Sequence, residues 1–220
     1  MCRFLMVKSA GPFAPAAMLE SFAEMAEKSR APDGDRQADG WGIAWPDGDG
    51  GWIVRKSIRP VWEDAGAFAE IPASSAFVVH ARSASFPDQK NVLDYNQPYA
   101  SKKAAFVFNG LLRGVALPFP VEGRIGAQKI WSLLSSGNGG GPAARLQTAV
   151  EVLVSHAREV QALNLGLFEG GRMFAFCRDT GNGGYYRLHG HSSPGLAMVC
   201  SEPLRGFALT PLPTDSVLEF

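Results

Sequence analysis

Trp41-Gly42-Ile43-Ala44-Trp45 and Trp52-Ile53-Val54-Arg55-Lys56 flank Pro46-Asp47-Gly48-Asp49-Gly50-Gly51. Two aromatic-rich apolar runs on either side of a Pro/Asp/Gly turn specify a β-hairpin. A second such unit follows later, with residues 163–168 and 172–178 around Glu169-Gly170-Gly171. Working outward, residues 2–7, 76–82, 104–108, 184–189 and 196–200 read as further short strands, with a final one within 207–220. Helical spacing supplies three more elements. Residues 15–28 carry Met18, Leu19, Phe22, Met25 and Ala26 on one face; residues 125–134 form a second helix. Residues 143–162 place Leu146, Val150, Leu153, Val154 and Ala157 together, after the helix-breaking tract 137–142. Hairpins with helices in blocks predict an α+β layered domain, and the absence of regular strand–helix alternation argues against a Rossmann-type sheet.

The 220 residues are 46% hydrophobic and 19% charged, which fits a globular chain of one compact domain spanning 1–220. Twenty-one basic and 21 acidic residues cancel, so there is no basic excess to displace nucleic-acid counterions. No apolar run approaches the roughly 20 residues of a membrane-spanning helix. The N-terminus has no apolar h-region followed by a cleavage site. Three cysteines (Cys2, Cys177, Cys200) are too few and odd in number for a disulfide framework. These features predict a cytoplasmic chain with reduced thiols, no nucleic-acid partner and no membrane partner.

Cys2 follows Met1 directly, and a residue this small permits removal of that Met. Its thiol would then share one residue with a free α-amine, whose ordinary pKa of about 7.7–8.0 suits it to accept the thiol proton. That is the N-terminal nucleophile arrangement. Alone, Cys2 is equally a small packing residue. Arg82, in His80-Ala81-Arg82-Ser83-Ala84-Ser85, ends a strand and offers a planar fork for a carboxylate, or for a structural salt bridge. Asn109-Gly110 can present a side-chain amide and a backbone N–H to one oxyanion, or can simply turn the chain. Asp39-Gly40-Trp41-Gly42 is a tight turn whose Trp41 either walls a pocket or fills the core. His80 is expected in the core or supporting the site, Cys177 and Cys200 as buried thiols. His189-Gly190-His191 matches no standard zinc spacing, so no metal is expected.

Met1-Cys2-Arg3-Phe4-Leu5, Gln37 to Trp45, His80 to Ser85, Asn96-Gln97-Pro98-Tyr99, Phe106-Val107-Phe108-Asn109-Gly110 and Cys200-Ser201-Glu202-Pro203-Leu204 occur in that order. The set resembles the class II glutamine amidotransferases of the N-terminal nucleophile (Ntn) hydrolase superfamily. It is most similar to their small stand-alone γ-glutamyl amidohydrolases of ergothioneine synthesis. The resemblance is dense to about residue 112 and sparse beyond.

The resemblance implies a four-layer αββα sandwich of two antiparallel sheets, and a Cys-nucleophile amidohydrolase working through a thioester without a cofactor. Its substrate would be a small molecule, glutamine or a γ-glutamyl-type amide. Cys2, Asn109 and Gly110 would be catalytic; Arg82, Ser85, Trp41 and Gly42 would bind substrate. A version that transfers ammonia would need a separate synthase as partner. Two positions depart from the pattern. Phe108 stands where the family commonly has His. Residues 124–131 lack the Asp that reads the substrate's α-ammonium, so Glu122 or another acid substitutes, or the substrate differs from free glutamine. The departures motivate two alternatives: a catalytically silent member binding a metabolite or protein, and a Cys-type acylase with an apolar pocket.

Overall fold

The N-terminal strand is apolar on both faces. Phe4 and Met6 point one way, Leu5 and Val7 the other, and all four are buried. A strand with two buried faces must lie in a sheet covered on both sides. In the computed structural model, which describes residues 1–137, 139–181 and 184–220, that is where β1 (Arg3–Phe13) lies.

β1 sits between β4 (Ser74–Ala81) and β10 (Leu196–Cys200) in a seven-stranded sheet. The hairpin β2 (Trp41–Pro46) and β3 (Trp52–Ser57) extends it beyond β4. On the other side β9 (His189–Ser193) and the two-residue β11 (Thr210–Pro211) complete it. The second sheet has the order β12 (Val217–Glu219), β8 (Arg172–Asp179), β7 (Glu159–Glu169), β6 (Ala104–Arg113), β5 (Tyr99–Ala100). All pairings are antiparallel.

Three apolar cores define the layers. Helix α1 (Ala16–Glu27) lays Met18, Leu19, Phe22, Ala23 and Ala26 on the first sheet, against Leu5, Val7 and Val79. Between the sheets, Phe4, Met6 and Val78 meet Ala105, Val107 and Ala175. Gly166 has no side chain here because a Cβ would collide with Met6 Sδ, so the sheets close to contact. Helices α2 (Gly126–Ser136) and α3 (Pro142–Ser155) cover the outer face of the second sheet, burying Ile130, Leu134, Leu146, Val150 and Leu153 on Phe106, Leu165 and Phe174. The fold is a four-layer αββα sandwich of two antiparallel sheets.

Three expected elements are corrected. The helix expected over 143–162 stops at Ser155, because 159–162 are drawn into β7, where Val160 pairs with Leu112 and Ala162 with Leu111. Pairing to a neighbouring strand overrides helical spacing there. The strand expected over 184–189 begins only at His189. The tail expected as one strand is two: β11 pairs with β9 of the first sheet and β12 with β8 of the second, so the tail laces the two sheets together. Asn138, in the expected 137–142 break, lies outside the described residues.

Candidate active site

The β1–β4 register pairs Phe4 with His80 and Arg3 with Ala81, which carries Cys2 opposite Arg82 at the sheet end. Side-chain alternation places Cys2, His80 and Arg82 on the same inter-sheet face as Phe4 and Val78. Cys2 is half-buried, with Sγ 3.5 Å from the Ser83 carbonyl oxygen. Cys177 and Cys200 lie buried on β8 and β10, and burial pushes the Cys200 thiol up to about 12.

Cys2 is fixed from below. The Arg3 guanidinium is fully buried; its Nε donates to Glu202 Oε1 at 2.7 Å and its Nη1 to the Cys2 carbonyl at 3.1 Å. Its Cζ lies over the Tyr185 ring, 4.1 Å from the ring centre. Ser201 holds Phe4 twice: its N–H donates to the Phe4 carbonyl and its Oγ accepts from Phe4 N. Arg3 and Glu202 both fall within the ordered sequence motifs, but their pairing joins residues 199 apart and has no local signature.

From the facing sheet, β6 brings Phe108, Asn109 and Gly110 to the same end. Asn109 is 1% exposed, and neither atom of its side-chain amide has a hydrogen-bond partner among the described residues. An unpartnered buried amide is costly and calls for a compensating role. Gly110 is obligatory, since a Cβ would lie 2.6 Å from Phe108 Cε2 and collide with the Ala162 carbonyl. Gln97 ties the sheets at this point: Oε1 accepts from Phe108 N at 2.6 Å, and Nε2 donates to Phe108 O and faces His80 Nε2, both at 3.1 Å. His80 is fully buried; desolvation, then the nearby Arg82 charge, lowers its pKa to about 3.

That shift has a testable sign. Folded His80 stays neutral while unfolded His80 takes a proton below about 6.5, so the fold loses stability as pH falls from there toward 3. Replacing His80 with Gln should flatten the dependence of unfolding free energy on pH between 6 and 4 by about one proton's slope. Chemical denaturation at several pH values measures it; an unchanged slope would mean that His80 does not carry this term.

The walls enclose a cleft of about 1640 Å³. Cys2, Arg82, Ser85, Phe108 and Gly110 line it, with Asn109 buried between the last two. Arg82 is 4% exposed and donates to the Gln89 carbonyl at 2.8 Å, its one hydrogen bond from the guanidinium among the described residues. Trp41 and Gly42 are not brought to this cleft. Trp41 is buried among the residues under α1, its Nε1 donating to Asp64 at 3.0 Å, and Gly42 gives the Gln97 carbonyl room to lie against β2.

Along 124–131 the cleft wall carries Lys129 and no acid, and Glu122 is not on the wall. The wall's carboxylates are Asp33 and Asp35. Asp35 binds the Met1 ammonium and the Ser83 hydroxyl, while Ser83 Oγ also accepts from that ammonium at 3.1 Å. Asp35 was not foreseen from sequence. Among the described residues, no group of three or more His, Cys, Asp or Glu side chains converges as a metal site would require. None of the described helices is long and apolar enough to cross a membrane.

No family model and no curated protein sequence matches the chain. Solved structures do. A glutamine aminotransferase class-II domain protein from Silicibacter pomeroyi aligns at TM-score 0.66 and 19% identity, over 99% of this chain and 94% of that one. The glutamine phosphoribosylpyrophosphate amidotransferase of B. subtilis gives 0.68 and 13%; this chain covers 47% of it, about half its length. A predicted glutamine amidotransferase from Pseudomonas aeruginosa gives 0.56 and 15%, over 100% and 97%. The chain is thus similar in fold to class II glutamine amidotransferase domains.

Proposed function

We propose that this chain is a Cys-nucleophile amide hydrolase of the class II glutamine amidotransferase type, cleaving the side-chain amide of glutamine or of a γ-glutamyl compound. One observation carries the reading: Cys2 and Arg82, one step beyond the Arg3–Ala81 pair, line a cleft together with Gly110 of the other sheet, and the adjacent Asn109 is buried with no hydrogen-bond partner for its amide among the described residues.

Removal of Met1 exposes the Cys2 α-amine. This amine takes the thiol proton as Sγ bonds to the amide carbon. The oxyanion is held by Asn109 Nδ2 and the Gly110 N–H. Collapse breaks the C–N bond, and the proton passes from the α-amine to the leaving ammonia or amine. Water then attacks the thioester, giving the acid and restoring the thiol. Arg82 binds the substrate carboxylate and Ser85 assists at the cleft rim. Departure of Met1 also frees Asp35 and Ser83, which hold an ammonium group in the structure, to take the substrate's ammonium. No step uses a cofactor. The 220 residues act as one cytoplasmic domain of the kind of the γ-glutamyl amidohydrolases of ergothioneine synthesis; a separate synthase is needed only if ammonia is transferred.

Intact mass before and after an electrophilic glutamine analogue tests this. Met1 should be absent, one adduct should form, and Cys2→Ala should form none and hydrolyse at least about 10³-fold more slowly. Retained Met1 with no adduct would favour a silent, ligand-binding protein, in which the Asp35–Ser83 grip on Met1 is permanent.

A further inference from the structure

Directly after Asn109-Gly110 the chain becomes apolar. Leu111 and Leu112 precede Arg113, the last residue of β6 and the one charged residue of this cleft-lining stretch, and the eight residues between Arg113 and Glu122 (Gly114-Val115-Ala116-Leu117-Pro118-Phe119-Pro120-Val121) carry no polar side chain. Leu111, Leu112, Val115, Leu117, Phe119 and Val121 all line the cleft. Val115 is 40% exposed and Phe119 42%, and Phe86, in the loop after β4 and also lining the cleft, is 59% exposed. Two prolines restrict φ at their own positions, and the segment forms an apolar shelf on the wall of the cleft.

Free glutamine cannot use it. Its carboxylate, ammonium and amide are all polar, and pockets of about 300–1000 Å³ already hold drug-sized ligands. The cleft is larger still, about 1640 Å³. Direction follows from topology. Arg82 is on the first sheet, beside Cys2, whereas the shelf continues from the oxyanion donors on the second. An acyl carbon held between Cys2 and Asn109, with its carboxylate on Arg82, directs its amide nitrogen toward the shelf.

We infer that residues 111–121, with Phe86, form a subsite for the departing amine, and that this amine bears a large apolar group, an aromatic ring or an extended alkyl chain. The inference rests on the amide-hydrolase reading and narrows its substrate to N-substituted γ-glutamyl amides.

Calorimetric titration of the Cys2→Ala protein, which retains the cleft but cannot cleave, tests it with γ-glutamyl amides of lengthening alkylamines and of benzylamine, against glutamine. Affinity should rise about fourfold per methylene buried, from roughly 0.8 kcal/mol each. Leu117→Ser and Phe119→Ser should flatten that rise and leave glutamine unchanged. A flat series, or one indifferent to both substitutions, overturns the inference. Electrophile labelling of unmodified protein separates the two claims. Labelling with a flat series removes the apolar subsite alone, whereas a rising series without labelling keeps the subsite and removes the nucleophile. A dimer in sedimentation that Phe119→Ser dissociates would overturn the inference by assigning the shelf to a second copy.

Discussion

Asn109→Ala is expected to lower the rate of amide hydrolysis by about 10²- to 10³-fold, the usual cost of one oxyanion donor. The effect should fall on kcat with little change in KM, because the donor strengthens its bond only as charge develops on the oxygen. Stability should behave unusually for so buried a residue. Neither amide atom of Asn109 has a partner among the described residues, so alanine removes an unsatisfied polar group and breaks no hydrogen bond. A thermal midpoint within about 3 °C of the parent is expected, which is less than about 2 kcal/mol for a chain of this length. Its register partner Asn164 is the control. Asn164 Nδ2 donates to the Tyr186 carbonyl at 2.7 Å, so Asn164→Ala should lower the midpoint. Steady-state kinetics with paired melting curves decide the matter. An Asn109→Ala protein with full activity would remove the oxyanion role.

Much of this arrangement was legible in the sequence, and the parts that were not share a cause. The hairpins at 46–51 and 169–171 announce themselves because Gly, Asp and Pro encode turns locally. The seven candidate site residues divide along the same line. Cys2, Arg82 and Gly110 stand at or next to strand ends, and with Ser85 from the loop after β4 they line one cleft, with Asn109 buried next to Gly110; Trp41 is claimed by the apolar core under α1, its indole anchored by Asp64. Residues 159–162 and the 207–220 tail were misread because their conformation depends on strands far away in the chain. The same holds for the supports of the site. Arg3 meets Glu202 across 199 residues, Met1 meets Asp35 across 34 and Gln97 meets Phe108 across 11, and no local pattern records such a meeting.

Glu202→Gln is expected to give the largest loss of stability, about 3–5 kcal/mol, with the thermal midpoint lower by roughly 10 °C. The substitution preserves shape and removes only charge, so its cost depends on what is left around Arg3. Arg3 has no solvent exposure, its Nη2 already lacks a hydrogen-bond partner among the described residues, and its charge is otherwise met by the Tyr185 ring face and the Cys2 carbonyl. Arg30, the other cation near Glu202 at 3.5 Å, is 71% exposed and keeps its hydration. Arg3 therefore bears the penalty of an unpaired buried charge. The Arg205–Glu24 pair at 2.9 Å is the contrast: Arg205 is largely exposed, so Arg205→Gln should leave the midpoint nearly unchanged. The loss should also reach the chemistry. Arg3 Nη1 holds the Cys2 carbonyl, so a displaced guanidinium loosens the residue whose thiol attacks. Electrophile labelling of Cys2 in Glu202→Gln, measured below its lowered midpoint, should be slower while labelling in Arg205→Gln is not. A fall of less than 1 kcal/mol, or unchanged labelling, would mean that the N-terminal strand is placed by Ser201 and the sheet alone.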